Sequence, residues 1–107
     1  MNYNEMSAVE CADWLAEREH GRHGEGLWYR LDDPQGVAMP HPFHLTLDAA
    51  AGALREPWYI HLMHFTAAHV SVRLWRQNTA CGKNVHGPDE LTARYRAAVA
   101  ARMEEER

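Results

Sequence analysis

The sequence predicts one α+β domain of 107 residues, with an antiparallel sheet of four to five strands and an N-terminal and a C-terminal helix packed on one face. Three observations lead to this class. A capped amphipathic helix opens the chain, segments rich in β-branched and aromatic residues fill its middle, and a longer amphipathic helix closes it. Because both helices are expected on one face, the other face of the sheet is left open.

The first helix has a clear start. Ser7 and Glu10 form a capping box, and Met6 and Cys11 occupy the two positions of a hydrophobic staple. The helix is predicted to run from Ala8 to about Glu19, and residues 20–26, with three glycines, are predicted to be a flexible connector. This helix resembles the first helix of small helix-turn-helix proteins, but the glycine-rich stretch lies where a basic recognition helix would be needed, so that class is excluded.

The segment between the first helix and the central strands is harder to interpret. Residues 27–31 are predicted to be a strand, and the Asp-Pro-Gln-Gly sequence at 33–36 is typical of a turn. Residues 37–39 should return antiparallel until Pro40 and Pro42 interrupt them. A further short strand is predicted at 43–47 and a short helix at 48–54.

The C-terminal helix is predicted to begin at Pro88, a residue suited to the first helical position, and to run through about Glu105. Its apolar stripe consists of Leu91, Tyr95, Val99 and Met103, with Ala98 beside it. Glu90 and Arg94 are spaced for a favourable pair on the helix surface.

The central segments, Trp58 to Phe65 and His69 to Gln77, are predicted to pair as a β-hairpin around residues 66–68. A three-residue loop would place Tyr59 opposite Trp75 and give an apolar inner face of Ile60, Leu62, Val70, Val72 and Leu74, with His64 at its end. A loop with an even number of residues would instead set Leu62 against Arg73 and mix polar with apolar residues on both faces, so the pattern favours the three-residue loop.

The opposite face of this hairpin is the candidate binding surface. Its predicted partner-binding residues are Tyr59, His61, Phe65, His69, Arg73 and Trp75, and Met63 and Gln77 share the same face. Large aromatic side chains beside cationic or titratable ones are the composition of interface hot spots. The alternative is that a helix or a second sheet of the domain covers this face.

Charge separates this hairpin from the rest of the chain, whose net charge is −4. Residues 58–87 contain no Asp or Glu and three Lys or Arg, whereas residues 1–57 contain ten acidic and four basic residues. The hairpin could therefore attract an anionic partner. The alternative is that acidic residues of the first helix neutralise it within the domain.

Neither the histidines nor the cysteines predict a reaction. Eight histidines include three HxxH pairs, at 20/23, 41/44 and 61/64, but residues three apart point to opposite faces of a strand, so no metal site and no cofactor are predicted. Cys11 belongs to a helical stripe and Cys81 to a polar loop at 78–87. The chain has no nucleophile elbow, phosphate-binding loop or paired catalytic carboxylates, so we expect it not to be an enzyme.

We therefore expect a small non-catalytic protein-binding module, whose partner is either another protein or a second copy of this chain. In size, acidity and lack of motifs the chain is similar to phage-borne inhibitors of host defence or nucleic-acid enzymes, and that resemblance implies an inhibitor. The alternatives are single-stranded nucleic-acid binding through the aromatic residues and a histidine-dependent metal protein. With no apolar span and no signal sequence, we expect a cytoplasmic protein that does not bind membranes.

Overall fold

The computed structural model describes residues 2–107, so Met1 lies outside the described part. Nine elements follow one another within these residues: a 3-10 turn at Tyr3–Glu5, α1 at Ala8–Glu19, β1 at His20–Arg22, β2 at Trp28–Arg30, α2 at Leu47–Ala53, β3 at Trp58–Thr66, β4 at His69–Arg76, β5 at Gly82–Gly87 and α3 at Glu90–Glu105. The α+β class is confirmed. Within residues 2–107, no helix is long and apolar enough to cross a membrane.

The predicted single sheet is wrong, because the strands divide into two antiparallel sheets. β1 pairs with β2 in one sheet, and the other has the strand order β3-β4-β5. The glycine-containing segment after α1, predicted to be a connector, supplies β1, whereas residues 37–39 contribute only an isolated bridge from Met39 to Trp28. The predicted strand at 43–47 is absent. Pro40 and Pro42 lack backbone donors and end the pairing there.

The C-terminal helix α3 is the central layer of the fold. Its alanine side packs on the three-stranded sheet, where the shared core consists of Trp58, Val70, Val72, Leu74, Val85, Ala93, Ala97, Ala100 and Ala101. Its other side carries Tyr95 and Val99 into a second core with α1, α2, Trp28 and Phe43. The predicted stripe on α3 was therefore correct for one side only. Small alanine side chains let the helix approach the sheet closely on the other side.

The helix ends follow local sequence closely. At α1 the Ser7 hydroxyl accepts from the Glu10 amide and the Glu10 carboxylate accepts from the Ser7 amide, each at 3.1 Å, which confirms the capping box. α3 begins at Glu90 and not at Pro88, because the Asp89 side chain accepts from the Thr92 amide at 2.8 Å and so acts as the N-cap. The Glu90–Arg94 pair is present at 2.8 Å.

The hairpin of β3 and β4 has a different register from the one predicted. Thr66 pairs directly with His69, so the loop contains two residues and Leu62 faces Arg73. A β-bulge at His61 then shifts the register by one, and Ile60 faces Leu74 as predicted. The two-residue loop alone would give the even register along the whole hairpin. The bulge restores the predicted register for residues 58–60, so that Ile60 faces the buried Leu74.

Candidate functional site

The three-stranded sheet is covered by helix on one side only. α3 packs along β4 and β5 on the side of Val72 and Leu74, which are 1% and 0% exposed. Residues that alternate with these point to the opposite side, which we call the outer face. The outer face consists of Tyr59, His61, Leu62, His64, His69, Ser71, Arg73, Trp75, Asn84 and His86. Most of it forms an open depression of about 650 Å³.

Five of the six predicted binding residues lie on the outer face, namely Tyr59, His61, His69, Arg73 and Trp75. Phe65 does not, because it pairs with the buried Val70 and so points to the helix side of the sheet. It is nevertheless 54% exposed, since it lies near the hairpin tip. Placing Phe65 on the outer face was therefore wrong.

The same register change moves three further hairpin residues. Met63 pairs with Val72 and belongs to the helix side, although the predicted register put it on the outer face. Leu62 and His64, predicted to face the core, lie on the outer face and are exposed. The bulge at His61 has no glycine or proline to signal it, so the alternation of residue types alone pointed to the wrong register for this half of β3.

An aromatic group occupies one end of the outer face. The His61 ring lies between the rings of Tyr59 and Trp75, with centroid distances of 6.4 and 6.1 Å. The Trp75 indole nitrogen donates to the carbonyl of Thr79 at 3.1 Å. A Cβ on Gly82 would lie 2.6 Å from Trp75 Cε3, so the indole ring lies directly on the β5 backbone. Trp75 is thereby held in one orientation and not left free to rotate.

Arg73 is the only Lys or Arg on the outer face within residues 2–107. Its guanidinium donates to the Asn84 side-chain oxygen at 3.3 Å and lies 5.4 Å from the centroid of the Trp75 ring. Among the described residues it has no salt bridge to a carboxylate. The guanidinium therefore keeps hydrogen-bonding capacity for an acceptor outside the chain.

The other two basic residues of this sheet are neutralised within the domain. Arg76 binds Glu105 at 2.8 Å and Lys83 binds Glu104 at 2.9 Å. The hydrogen bond from Lys83 lowers the pKa of Glu104, and those from Arg76 and then Trp58 lower the pKa of Glu105. The carboxylates come from α3 and not from the first helix. The outer face itself contains no Asp or Glu.

Four of the eight histidines lie on the outer face: His61, His64, His69 and His86. His69 and His86 stack with ring centroids 5.2 Å apart. Because of the bulge, His61 and His64 share a face, and the prediction that they diverge was wrong. Within residues 2–107, no three His, Cys, Asp or Glu side chains are arranged to hold a metal ion.

Two other side chains that could in principle react, those of His41 and Cys11, have structural roles. His41 accepts from the Phe43 amide through Nδ1 at 3.0 Å, so Nε2 carries the proton and donates to Asp13 at 2.9 Å. Both ring nitrogens are therefore occupied in attaching this loop to α1. Burial raises the pKa of Cys11 to about 12, so this thiol is a core residue and not a nucleophile.

Residues missed by the sequence reasoning lie mainly on β5. The segment 78–87 was predicted to be a polar loop, but residues 82–87 form a strand that adds Asn84 and His86 to the outer face. A weak signal was present, since Val85 alternates with these two polar residues. The segment is flanked by glycines and contains one apolar residue, so this alternation was too short to predict a strand.

Comparison with known proteins adds no functional information. No family model, no curated protein sequence and no solved structure matches this chain.

Proposed function

We propose that this protein is a non-catalytic protein-binding module whose outer face docks onto an acidic, partly apolar surface of another protein. The observation that carries this proposal is an open sheet face with large apolar side chains and Arg73 but no carboxylate, in a chain of net charge −4. Trp, Tyr and Arg are the residue types that contribute most at protein interfaces.

The arrangement of these side chains supports a preformed binding site. Trp75 is fixed by Thr79 and by the backbone at Gly82, so little conformational entropy is lost when a partner covers it. Tyr59, 42% exposed, and Leu62, 62% exposed, provide apolar area on either side of His61. Arg73 beside them supplies directional hydrogen bonds to a carboxylate.

Charge favours an acidic protein over a second copy on this face. Two outer faces brought together would bury Arg73 of each chain against a face that has no carboxylate to pair with it, and an unpaired buried charge opposes such a contact. A carboxylate-bearing partner pairs with Arg73 and has no acidic group on the outer face to repel it.

The same charges favour a protein over single-stranded nucleic acid. Nucleic-acid affinity depends on several cationic side chains that each neutralise a phosphate. Within residues 2–107, Arg73 is the only Lys or Arg on this face, and Arg76 and Lys83, on the helix side of the sheet, are bound to the carboxylates of Glu105 and Glu104. Stacking of bases on Tyr59 and Trp75 would then lack most of the electrostatic contribution that such binders use.

Photo-crosslinking tests the proposal directly. A photoreactive amino acid at Ser71, in the centre of the outer face, is expected to link one protein from the native host, and the same group at Gln35 is not. Binding of the purified partner should then weaken by about 30-fold for Trp75→Ala, equivalent to roughly 2 kcal/mol at a hot spot. Arg73→Glu should weaken it at least as much.

Arg107→Glu is the matched control, since it makes the same charge reversal at the exposed end of the chain and should leave binding unchanged. Unchanged affinity in both outer-face variants would reject the proposal.

Titration with a short single-stranded oligonucleotide tests the nucleic-acid alternative. Salt-sensitive binding that Arg73→Glu abolishes would assign this face to nucleic acid and overturn the protein-partner proposal.

A further inference from the structure

The two edges of the three-stranded sheet differ, and the difference points to a second copy of the chain. β5 forms one edge and β3 the other. An edge strand presents unpaired backbone N–H and C=O groups that can pair with another strand unless something blocks them.

The edge at β5 is blocked by the chain itself at His86. The His86 amide donates to the Asn4 side chain at 3.2 Å, and the His86 carbonyl accepts from Arg96 at 2.9 Å. Arg96 also donates to the Met6 carbonyl at 2.7 Å, which holds the N-terminal turn beside this strand. The outward backbone groups of His86 are thereby satisfied within the molecule.

The edge at β3 has no such cover. Among the helices and strands of residues 2–107, only β4 packs extensively along β3. Within that part of the chain, the backbone of residues 59–65 makes no hydrogen bond outside the ladder with β4. β3 is nine residues long, against a most common strand length of about five to six.

The side chains of β3 lack the usual protection as well. The strand contains no Lys, Arg, Asp, Glu or Pro, whereas natural edges are commonly protected by charge or proline. Its bulge at His61 affects only the first half, and residues 62–66 pair regularly with β4. Large apolar residues are exposed on both faces of this half, with Leu62 on the outer face and Phe65 on the helix side.

We propose that β3 pairs antiparallel with β3 of a second copy, giving a two-fold dimer with one continuous sheet of six strands. Any two-fold pairing within residues 62–66 brings Met63 and Phe65 together on one face and Leu62 and His64 on the other, with no like charges from Lys, Arg, Asp or Glu. Because the outward backbone groups of His86 are already bonded within the chain, the free part of the β5 edge is shorter than that of β3, and we expect the sheet to close at two chains.

This geometry leaves the outer face available. The two-fold axis of an antiparallel edge pair is perpendicular to the sheet, so both outer faces lie on the same side. The dimer would present two copies of Arg73 and Trp75 side by side, although the proposal does not depend on the function suggested for them.

Light scattering across a wide range of protein concentration tests the dimer. The wild-type chain should show twice the mass of one chain. Leu62→Lys and Leu62→Glu alone should each weaken dimerisation by at least about tenfold, because like charges then meet near the two-fold axis. An equal mixture of the two variants should dimerise again. Val37→Lys, at a residue 87% exposed and distant from the sheet in sequence, is the control and should remain dimeric.

Amide hydrogen exchange distinguishes the edge from other contacts. Alternate amides of β3 should exchange slowly in the dimer and fast in Leu62→Lys, while Arg73→Glu should change neither the mass nor these rates. A monomeric wild type at all concentrations would overturn the proposal, and so would a dimer whose β3 amides exchange as fast as in the variant. Protection of β3 in a monomer on addition of a different protein would assign the edge to a foreign strand, which also overturns the second-copy proposal.

Discussion

Gly82→Ala tests whether the outer face depends on the contact between Trp75 and the β5 backbone. The new methyl carbon would lie 2.6 Å from Trp75 Cε3 and 2.7 Å from Cζ3. Carbon atoms prefer separations of about 3.5–4.0 Å, so the indole ring must move by about 1 Å. Such a movement takes the indole N–H, now 3.1 Å from the Thr79 carbonyl, out of hydrogen-bonding range.

The expected cost is the ordinary cost of overpacking, about 1–3 kcal/mol in the free energy of unfolding, measured by urea denaturation. The indole N–H resonance of Trp75 should shift, while those of the three buried tryptophans, Trp14, Trp28 and Trp58, should stay in place. This combination would show that the ring moved while the rest of the fold was kept.

Gly52→Ala is the matched control, because nothing lies within 4 Å of its added methyl group and the residue is inside helix α2. This substitution should stabilise the protein by about 0.5–1 kcal/mol, the opposite sign. If Gly82→Ala leaves both the stability and the Trp75 resonance unchanged, the indole ring does not lie on this backbone, and the preformed binding site is refuted.

Two further predictions concern the core and its response to acid. Leu74→Ala, at a residue that is 0% exposed, should lower the free energy of unfolding by about 2–5 kcal/mol. Leu31→Ala, at a residue 53% exposed, is the control and should change it by less than about 0.5 kcal/mol. Equal losses in urea denaturation would contradict the placement of Leu74 on the buried face of the sheet. His20 is buried, its Nδ1 has no hydrogen-bond partner among residues 2–107, and burial lowers its pKa below the ordinary 6.5. Its folded form therefore prefers the neutral ring, so its contribution to stability is present above pH 6.5 and is lost as the pH falls through the lowered pKa. His20→Phe should make thermal stability less dependent on pH in this range, and an unchanged dependence would show that other groups are responsible.

Local features of the sequence predicted the helices well. The capping box at Ser7 and the periodicity of residues 8–19 depend on neighbours in the chain, and the structure reproduces both. α2, predicted at 48–54, lies at Leu47–Ala53, because Thr46 caps it through the Ala49 amide. The start of α3 was misplaced by two residues, since proline at 88 and aspartate at 89 give competing signals for the same helix end.

Strand pairing was predicted less well because it depends on partners distant in the chain. The short strands β1 and β5 contain glycine and few apolar residues, so nothing in their own composition distinguishes them from loops. β1 becomes a strand because β2 lies beside it, and β5 because β4 supplies its hydrogen bonds and α3 covers Val85. The assignment of four to five strands to one sheet was wrong for the same reason.

The candidate site was likewise predicted in part from local sequence and decided in part by contacts between distant segments. The order of residues 58–77 determined that they form a hairpin with one apolar face and one face of aromatic rings, histidines and Arg73. Alternation along a strand assigns side chains to faces wherever the register is regular. Which residues share the outer face was decided by the bulge at His61, which exchanged Phe65 and Met63 for Leu62 and His64.

The availability of that face, and of its cations, was decided only by tertiary structure. Folding placed α3 between the sheet and α1, so the outer face stayed uncovered, and it placed Glu104 and Glu105 against Lys83 and Arg76. Alternation along the chain can determine which side chains share a face, but exposure and net charge arise from segments that meet only after folding.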